Sequence, residues 1–464
     1  MVVRRILVAV GVIAGSVALA ATQQGGAQGQ QAPQTPPPPD FVQMLVDRLE
    51  LAKYKATLKG LTQFGDRREG TQRNRDAVVW IEQQLKSYGC QTEQMSYDPQ
   101  DPTGARAAAA AAGAQPAGGG QRAGGAGGGR GQQAGGGRAQ GQGPQGGRGP
   151  VLTEPRRNQA GGSTYYGIIR PAGVNNNAEN QPDEKLRALN SGPIIPGPVP
   201  QVFCTKWGTS RRGEMYIIGA HMDGIGWGEA ANDDGSGTAL VMELARIFSM
   251  PDVTTDVSIR FALWNGEEGG LRGANAYVAQ RQKLQGQPNE PRWLGMIQHD
   301  MMMWDHGMPR ADGTLNPEQR PEADFNIEWQ SNSKLAEESM KLALTVKLAA
   351  DKYTKNYPGT LGPHMTNTDS TPFMNIVPAI SLRENERGMN TGAGWNPHWH
   401  QPTDLFSTFS DKDFLLGLNA AQATLSAIAQ LTNVRVNVQR QRPIALTNLG
   451  SISTGTPVSL SSTR

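Results

Sequence analysis

The sequence predicts an α/β fold: a mixed, mainly parallel sheet covered by helices on both faces, in three α/β/α layers. Two observations carry this expectation. Beyond residue 200, short apolar runs alternate with longer segments of helical period, the order of a parallel sheet built with crossover helices. Within the run 257–263, Val257, Ile259, Phe261 and Leu263 recur at every second position, the period of a strand. A chain of 464 residues buries a sizeable core without difficulty.

The elements come in this order. Residues 40–61 read as helical. Residues 72–88 predict an amphipathic helix with Ala77, Val78, Ile81, Leu85 and Tyr88 on one side and Gly89 as its stop. A strand over 90–97 comes next. Residues 200–206 and 214–220 read as strands, the second running straight into His221. A helix over 237–250 rests on Leu240, Val241, Leu244, Ala245, Ile247 and Phe248. After the strand 257–263 come a glycine-rich turn, a helix over 271–283, a strand over 293–300, a helix over 333–353, a strand over 378–382 and a long helix over 411–431.

The remaining segments read differently. Arg4 and Arg5 precede the apolar run 6–15, and Ala18, Leu19 and Ala20 offer the small residues that a signal peptidase accepts, so residues 1–21 read as an export signal. The mature chain is then secreted or periplasmic. That run is shorter than the ~20 residues a spanning helix needs, and no later stretch reads as a stable membrane span. Residues 22–39, rich in Gln, Gly, Pro and Ala, read as a disordered lead-in to a domain over 40–432. Residues 102–162 collapse into Gly, Ala, Gln and Arg and cannot bury enough apolar surface to offset their ordering entropy, so they read as a disordered insertion. Being of low complexity, the insertion is no folded accessory domain. Its arginine-glycine pieces look like those of RNA-binding proteins, but an exported chain with 44 basic against 41 acidic residues has no general reason to bind nucleic acid. Residues 433–464 read as an extended tail. The two cysteines, Cys90 and Cys204, lie on strands that are potential sheet neighbours, and form either a structural disulfide or two buried thiols.

In open α/β sheets, functional groups gather beyond the carboxyl ends of the strands. The metal-capable residues at those places form a short set. His221 and Asp223 follow one strand, Asp233 follows its loop, Glu267 and Glu268 follow the next, Asp300 ends a third, and His400 precedes the last helix. Imidazole and carboxylate are the ligands zinc accepts when no thiolate is offered, and two zinc ions about 3.5 to 4 Å apart need a carboxylate that bridges them. A water between two such ions becomes hydroxide near neutral pH, and a free carboxylate beside it can take the proton as the water attacks a carbonyl. Glu267 suits that task. His299 and Asp300 are strand neighbours and point to opposite faces, so only one of them can be a ligand.

The motifs in order resemble the co-catalytic zinc peptidases of metallopeptidase family twenty-eight, which includes secreted bacterial aminopeptidases, glutamate carboxypeptidases and, more distantly, glutaminyl cyclase. IIGAHMDG is similar to the family's HxD segment, NDDGSGTA to its bridging-aspartate segment and FALWNGEEGGLRGA to its paired-glutamate segment. MIQHDMM is similar to its second aspartate segment, HQPTD to its final HxxxD, and LTQFGDRREGTQRN to its N-terminal region. The likeness covers roughly 40–100 and 163–432. It implies one zinc on His221, Asp233 and Asp300 and a second on Asp233, Glu268 and His400, two per chain, with Asp233 bridging. It implies further that Asp223 orients His221, that Asp404 supports His400, that Glu267 is general base and then acid, and that the Asp233–Asp234 peptide is cis. The motif order favours Asp300 and leaves His299 packed or solvent-facing.

Two departures from the family pattern stand out: Asp234 where many members have asparagine, and Ser370 where many have histidine. They touch oxyanion stabilisation and substrate alignment, for which His364, Asp369 and Ser370 are candidates. His398 reads as a loop histidine covering the site. Arg383 and Arg387 could meet a substrate carboxylate or make ordinary salt bridges. Trp227, Trp264, Trp304 and Trp395 could wall an apolar pocket or simply be core. The resemblance implies an exopeptidase acting on peptides, an aminopeptidase first of all. A carboxypeptidase of the glutamate carboxypeptidase type and a single-zinc, glutaminyl-cyclase-like acyl transferase are the alternatives. A zinc-binding protein without catalysis is disfavoured by the presence of Glu267.

Overall fold

The computed structural model describes residues 39–100, 174–307, 316–363, 368–384 and 396–437, with four two-residue strands between 151 and 170. The export signal, nearly all of the lead-in, most of the insertion and the tail beyond 437 lie outside the described residues. The helices are α1 Phe41–Val46, α2 Leu51–Thr62, α3 Gln72–Ser87, α4 Glu184–Asn190, α5 Gly235–Phe248, α6 Arg272–Arg281, α7 Ala336–Tyr353 and α8 Asp411–Leu431. The single helix expected over 40–61 is two. Asp40 caps the first by accepting from the Gln43 N–H at 3.1 Å. The chain then breaks so that Arg48 can pair with Asp252, at 2.6 Å.

The strands are β1 Gln91–Tyr97, β2 Val151–Leu152, β3 Arg156–Arg157, β4 Thr164–Tyr165, β5 Ile169–Arg170, β6 Val199–Lys206, β7 Arg211–His221, β8 Val253–Thr254, β9 Val257–Trp264, β10 Arg292–His299, β11 Phe325–Glu328, β12 Gly359–Gly362, β13 Ala379–Arg383 and β14 Arg435–Val436. Eight of them make one sheet in the order β1-β6-β9-β7-β10-β13-β11-β12. Its centre, β9-β7-β10-β13, is parallel, β1 and β6 meet their neighbours antiparallel, and β11 runs antiparallel to β13 but parallel to β12. The sheet is therefore mixed and mainly parallel at the middle. The pairs β2/β5 and β3/β4 fall at the C-terminal edge of the stretch set apart by its composition. Strand β14 pairs with β8 at the start of the expected tail.

Strand β9 corrects the one-sided pattern read from the sequence. All eight of its residues are buried, because a strand in the middle of a helix-covered sheet has no solvent face. Arg260, on the face opposite Ile259, is tolerated there by Glu290 at 2.6 Å and by the Tyr277 hydroxyl. Besides the two-residue strands β2 to β5, β8 and β14, the elements absent from the sequence reading are α4, β11 and β12. Two four-residue strands are too short to show a period, and α4 sits in a stretch rich in Asn and Pro.

Cys90, just before β1, and Cys204, on the adjoining β6, form a disulfide with Cα atoms 5.8 Å apart. The register places Thr92 opposite Cys204, so the two cysteines meet at the outer strand pair. One further correction concerns apolar length. Among the described residues α8 is long and apolar enough to cross a membrane, contrary to the sequence reading, but 78% of its apolar window is buried in the protein, and it packs on α7 as a core helix.

The parallel centre has one consequence for function. Strands β7, β9, β10 and β13 all deliver their carboxyl ends to the same edge, so His221, the turn after Trp264, Asp300 and the residue after Arg383 converge.

Candidate metal centre

His221 is the last residue of β7. Its Nδ1 lies 3.0 Å from the Asp223 carbonyl oxygen, which as an acceptor fixes the proton on that nitrogen. Nε2 is thereby left to face the Asp233 carboxylate at 3.3 Å and that of Asp300 at 3.9 Å. The Asp223 carboxylate is 3.7 Å from the ring and does something else: it accepts from the backbone N–H of Glu267 at 3.2 Å and of Glu268 at 3.4 Å. Asp223 thus ties the imidazole and the paired-glutamate turn together, the first through its carbonyl and the second through its side chain.

Asp233 lies in the loop between β7 and α5, and the peptide joining it to Asp234 is cis. Asp234 caps α5, accepting from the N–H of Gly237 at 2.9 Å, of Met301 at 3.1 Å and of His221 at 3.1 Å. Every group it meets is a donor, so a carboxylate serves this position as an acceptor-only hub. Asp404 corrects its expected role. Its two oxygens accept from the N–H of Asn232 at 2.8 Å and of Asp233 at 3.1 Å, so its side chain holds the Asp233 segment and not His400.

His400 presents Nε2 to Glu268 at 2.9 Å and to Asp233 at 3.0 Å. Its loop fits closely against Gly226: at that glycine's φ of +101° a Cβ would fall 2.3 Å from the His400 carbonyl carbon. Asp300 turns its second oxygen to Arg383, 2.7 Å away.

Ligand-capable atoms of His221, Asp233 and Asp300 lie within 4.8 Å of one another, and so do those of Asp233, Glu268 and His400. The two sets share Asp233. The donor set fits divalent cations on its own chemistry. Glu268 Oε1 is buried without a hydrogen bond, the state expected of an oxygen that awaits a cation, and Asp233 Oδ2 meets only the His400 imidazole, itself a ligand type. Without metal the charges distort one another. Burial pushes the Glu268 carboxyl up to about 7, against the pull of His400. Burial works against the charged form of His400 as well, yet Glu268 and Asp233 hold its imidazolium up to about 10. Glu267 is driven well above the usual carboxylate range, first by burial and then by Glu268 and Asp300.

The other candidates fall outside this set. His299 points to the opposite face, with Nε2 2.8 Å from the Thr424 hydroxyl and Nδ1 3.2 Å from the Gly219 carbonyl. Arg383 is buried and donates to Asp300. Asp369 is buried and accepts from Gln298 at 3.3 Å, while Ser370 meets Ser381. His398 contacts the Thr403 hydroxyl at 2.8 Å and packs edge-on against Trp304. Trp264 belongs to a buried cluster with Tyr277 and Phe373, not to a pocket wall. Trp304 stacks on His306, and Trp227 is half-buried. His364, Arg387 and Trp395 lie outside the described residues.

Three supporting residues escaped the sequence reading. Arg67 is fully buried and donates to four carbonyls, those of Gly65 at 2.8 Å and of Met222, Glu229 and Ala230 at 2.7 Å each, stapling both ends of the loop that leads to Asp233. Asn232 and Glu384 hydrogen-bond to each other at 2.6 Å beside Asp233. The one available signal was position: Asn232 adjoins a ligand motif and Glu384 follows a strand end.

Residues 203–425 match the model of Peptidase family M28, and all five ligand candidates fall inside the match. This domain belongs to peptidase family M28. The M28 domain is 41% identical over 75 residues to the probable lipoprotein aminopeptidase LpqL of Mycobacterium tuberculosis, covering 16% of this chain and 14% of that protein. Against an aminopeptidase of Pseudomonas aeruginosa the identity is 30% over 139 residues, 26% of this chain and 25% of the relative. These alignments thus span a quarter or less of either relative's length. The Legionella pneumophila LapA aminopeptidase shares the M28 fold at 15% identity, with a TM-score of 0.51 over 87% of this chain and 78% of LapA.

Proposed function

We propose that this protein is a two-metal aminopeptidase of the M28 family, loaded with zinc, that removes residues from the amino end of peptides. The observation that carries the reading is the pair of ligand sets sharing Asp233 at the carboxyl edge of the parallel strands. A pair of zinc ions there would supply Lewis-acid chemistry, polarising the scissile carbonyl and acidifying water. The protein's own residues do the rest. Glu267, held on its turn by Asp223 beside the ligand Glu268, takes the proton of the attacking water and returns it to the leaving amine. Asp223, Asp234 and Asp404 keep His221, Asp233 and the two glutamates in place before substrate arrives.

Amino-end cleavage is supported over carboxyl-end cleavage by the way the cationic side chains are used. Arg383, the described arginine nearest the ligands, is engaged with Asp300, and Arg67 spends its donors on backbone carbonyls. The disulfide between Cys90 and Cys204 supports export to an oxidising compartment, in line with the signal-like N-terminus.

The test is a screen of the full chain, stripped of metal and reloaded with zinc, against aminoacyl anilides and amino-blocked dipeptides. Anilide cleavage that returns as the second equivalent of zinc is added is the expected result. Cleavage of the blocked dipeptides alone, or cyclisation of N-terminal glutamine by a one-zinc form, would sink the assignment.

A further inference from the structure

Glu384 follows β13, lies outside both ligand sets, and is buried at 1% exposure. One oxygen accepts from the Asn232 side-chain amide at 2.6 Å and from the Trp304 N–H at 2.8 Å. The other accepts from the Asn396 side-chain amide at 3.2 Å. The amide orientations are fixed independently by backbone donors. Asn232 turns its oxygen to the N–H of Met302 and of Met303, each at 3.1 Å, so its nitrogen must face Glu384. Asn396 turns its oxygen to the His398 N–H at 2.9 Å, and its nitrogen likewise faces Glu384.

The chain Asn232–Glu384–Asn396 therefore joins three ligand-bearing loops at one carboxylate. Asn232 immediately precedes the shared Asp233, Trp304 follows Asp300 on the same loop, and Asn396 heads the turn that ends at His400. We infer that Glu384 is a positioning residue for the metal centre, setting the His400 arm against Asp233 through Asn396 and so governing the affinity of the ion held by Asp233, Glu268 and His400. The inference rests on the two-metal reading and extends it to a residue beyond the ligands.

The polarity of the chain makes the role testable. In Glu384→Gln the amide oxygen can keep the Asn232 and Trp304 donors, which places its NH2 against the NH2 of Asn396. Asn396 cannot flip to relieve this without turning its nitrogen on the His398 N–H. The conflict falls on the His400 arm alone. Asn396→Asp creates the mirror conflict, two carboxylates facing each other. Combining the two changes restores one donor and one acceptor, with the same net charge as the original pair.

The experiment titrates the full, metal-stripped chain with Zn2+ against a chromophoric chelator. The wild type, Glu384→Gln, Asn396→Asp and the double variant are compared in a double-mutant cycle. Each single change is expected to weaken one of the two binding steps by about tenfold or more while the other stays within about threefold, the double variant returning to within about threefold of wild type. Unchanged affinity in both single variants, an equal loss at both steps, or a double variant weaker than either single one would overturn the inference. The wild-type curve alone judges the two-ion reading. Should it show one step, that reading is wrong, and the same cycle on that step still tests Glu384.

Discussion

At the scale of single residues, the centre is defined by which atom of each side chain is left over once its supports are satisfied. His221 commits Nδ1 to the Asp223 carbonyl and so offers Nε2. Asp300 commits Oδ2 to Arg383, and its Oδ1 lies 3.9 Å from His221 Nε2. Glu267 lies outside both ligand sets, and Glu267→Gln is expected to cut kcat by about 10²- to 10⁴-fold while zinc content and KM stay near wild type. Full turnover in that variant would remove the proposed base. Asp404 makes a different prediction. Both its oxygens accept backbone N–H groups, so Asp404→Asn sets an amide nitrogen against one of them and should cost about 1 to 3 kcal/mol in denaturant unfolding. Lowered zinc affinity should accompany the loss. An Asn variant as stable as wild type would show that these two bonds contribute little.

At the scale of elements, the parallel strands set where ligands appear and the loops set how they meet. The carboxyl ends of β7, β9 and β10 are neighbours by register, so three of the ligand segments start within one sheet edge. The fourth, carrying His400, arrives on the loop before α8 and is seated by the absence of a side chain at Gly226. Gly226→Ala would combine a left-handed backbone with a Cβ pressed into the His400 backbone. We expect a loss of zinc affinity of tenfold or more, together with about 1 to 3 kcal/mol of stability. An alanine variant that binds zinc as wild type does would show that the loop can move aside. The same dependence on neighbours explains why sequence periodicity missed two strands. Strands of four residues such as β11 and β12 show no pattern of their own and are specified by pairing with a sheet already formed.

At the scale of the molecule, two long-range devices hold the α/β domain. The disulfide closes a separation of 114 residues between Cys90 and Cys204, spanning the low-complexity insertion. Restricting so long a loop in the unfolded chain is worth about 2 to 5 kcal/mol, so Cys90→Ser/Cys204→Ser should lower Tm by several degrees without changing metal stoichiometry. An unchanged Tm would count against a structural role. A cation on the two ligand sets would be the second device. Burial first, and the neighbouring carboxylates after it, hold the Glu267 and Glu268 carboxyls above their usual range when no cation is bound. Chelation should lower Tm, and excess zinc should raise it in a concentration-dependent way. A Tm indifferent to chelator would argue against a cation at these two ligand sets.

The sequence by itself determined the layer architecture, the order of most elements and the short set of residues able to hold metal. Those depend on local period and on the residue types placed directly after each strand, and both are written along the chain. Helix α8 matches the range read from sequence, 411–431, because its apolar stripe, bounded by the Ser410 and Asp413 capping box, is a local property. The supports were decided only in three dimensions. The family resemblance implies that Asp404 supports His400, four residues before it, yet it serves Asp233 across 171 residues of chain. Arg67 and Asn232 offer no zinc-ligand chemistry, and Glu384, a carboxylate at a strand end, has nothing in its local sequence that marks it as a support. They matter through hydrogen bonds between segments that only folding brings together, and a linear reading has no physical basis for pairing them.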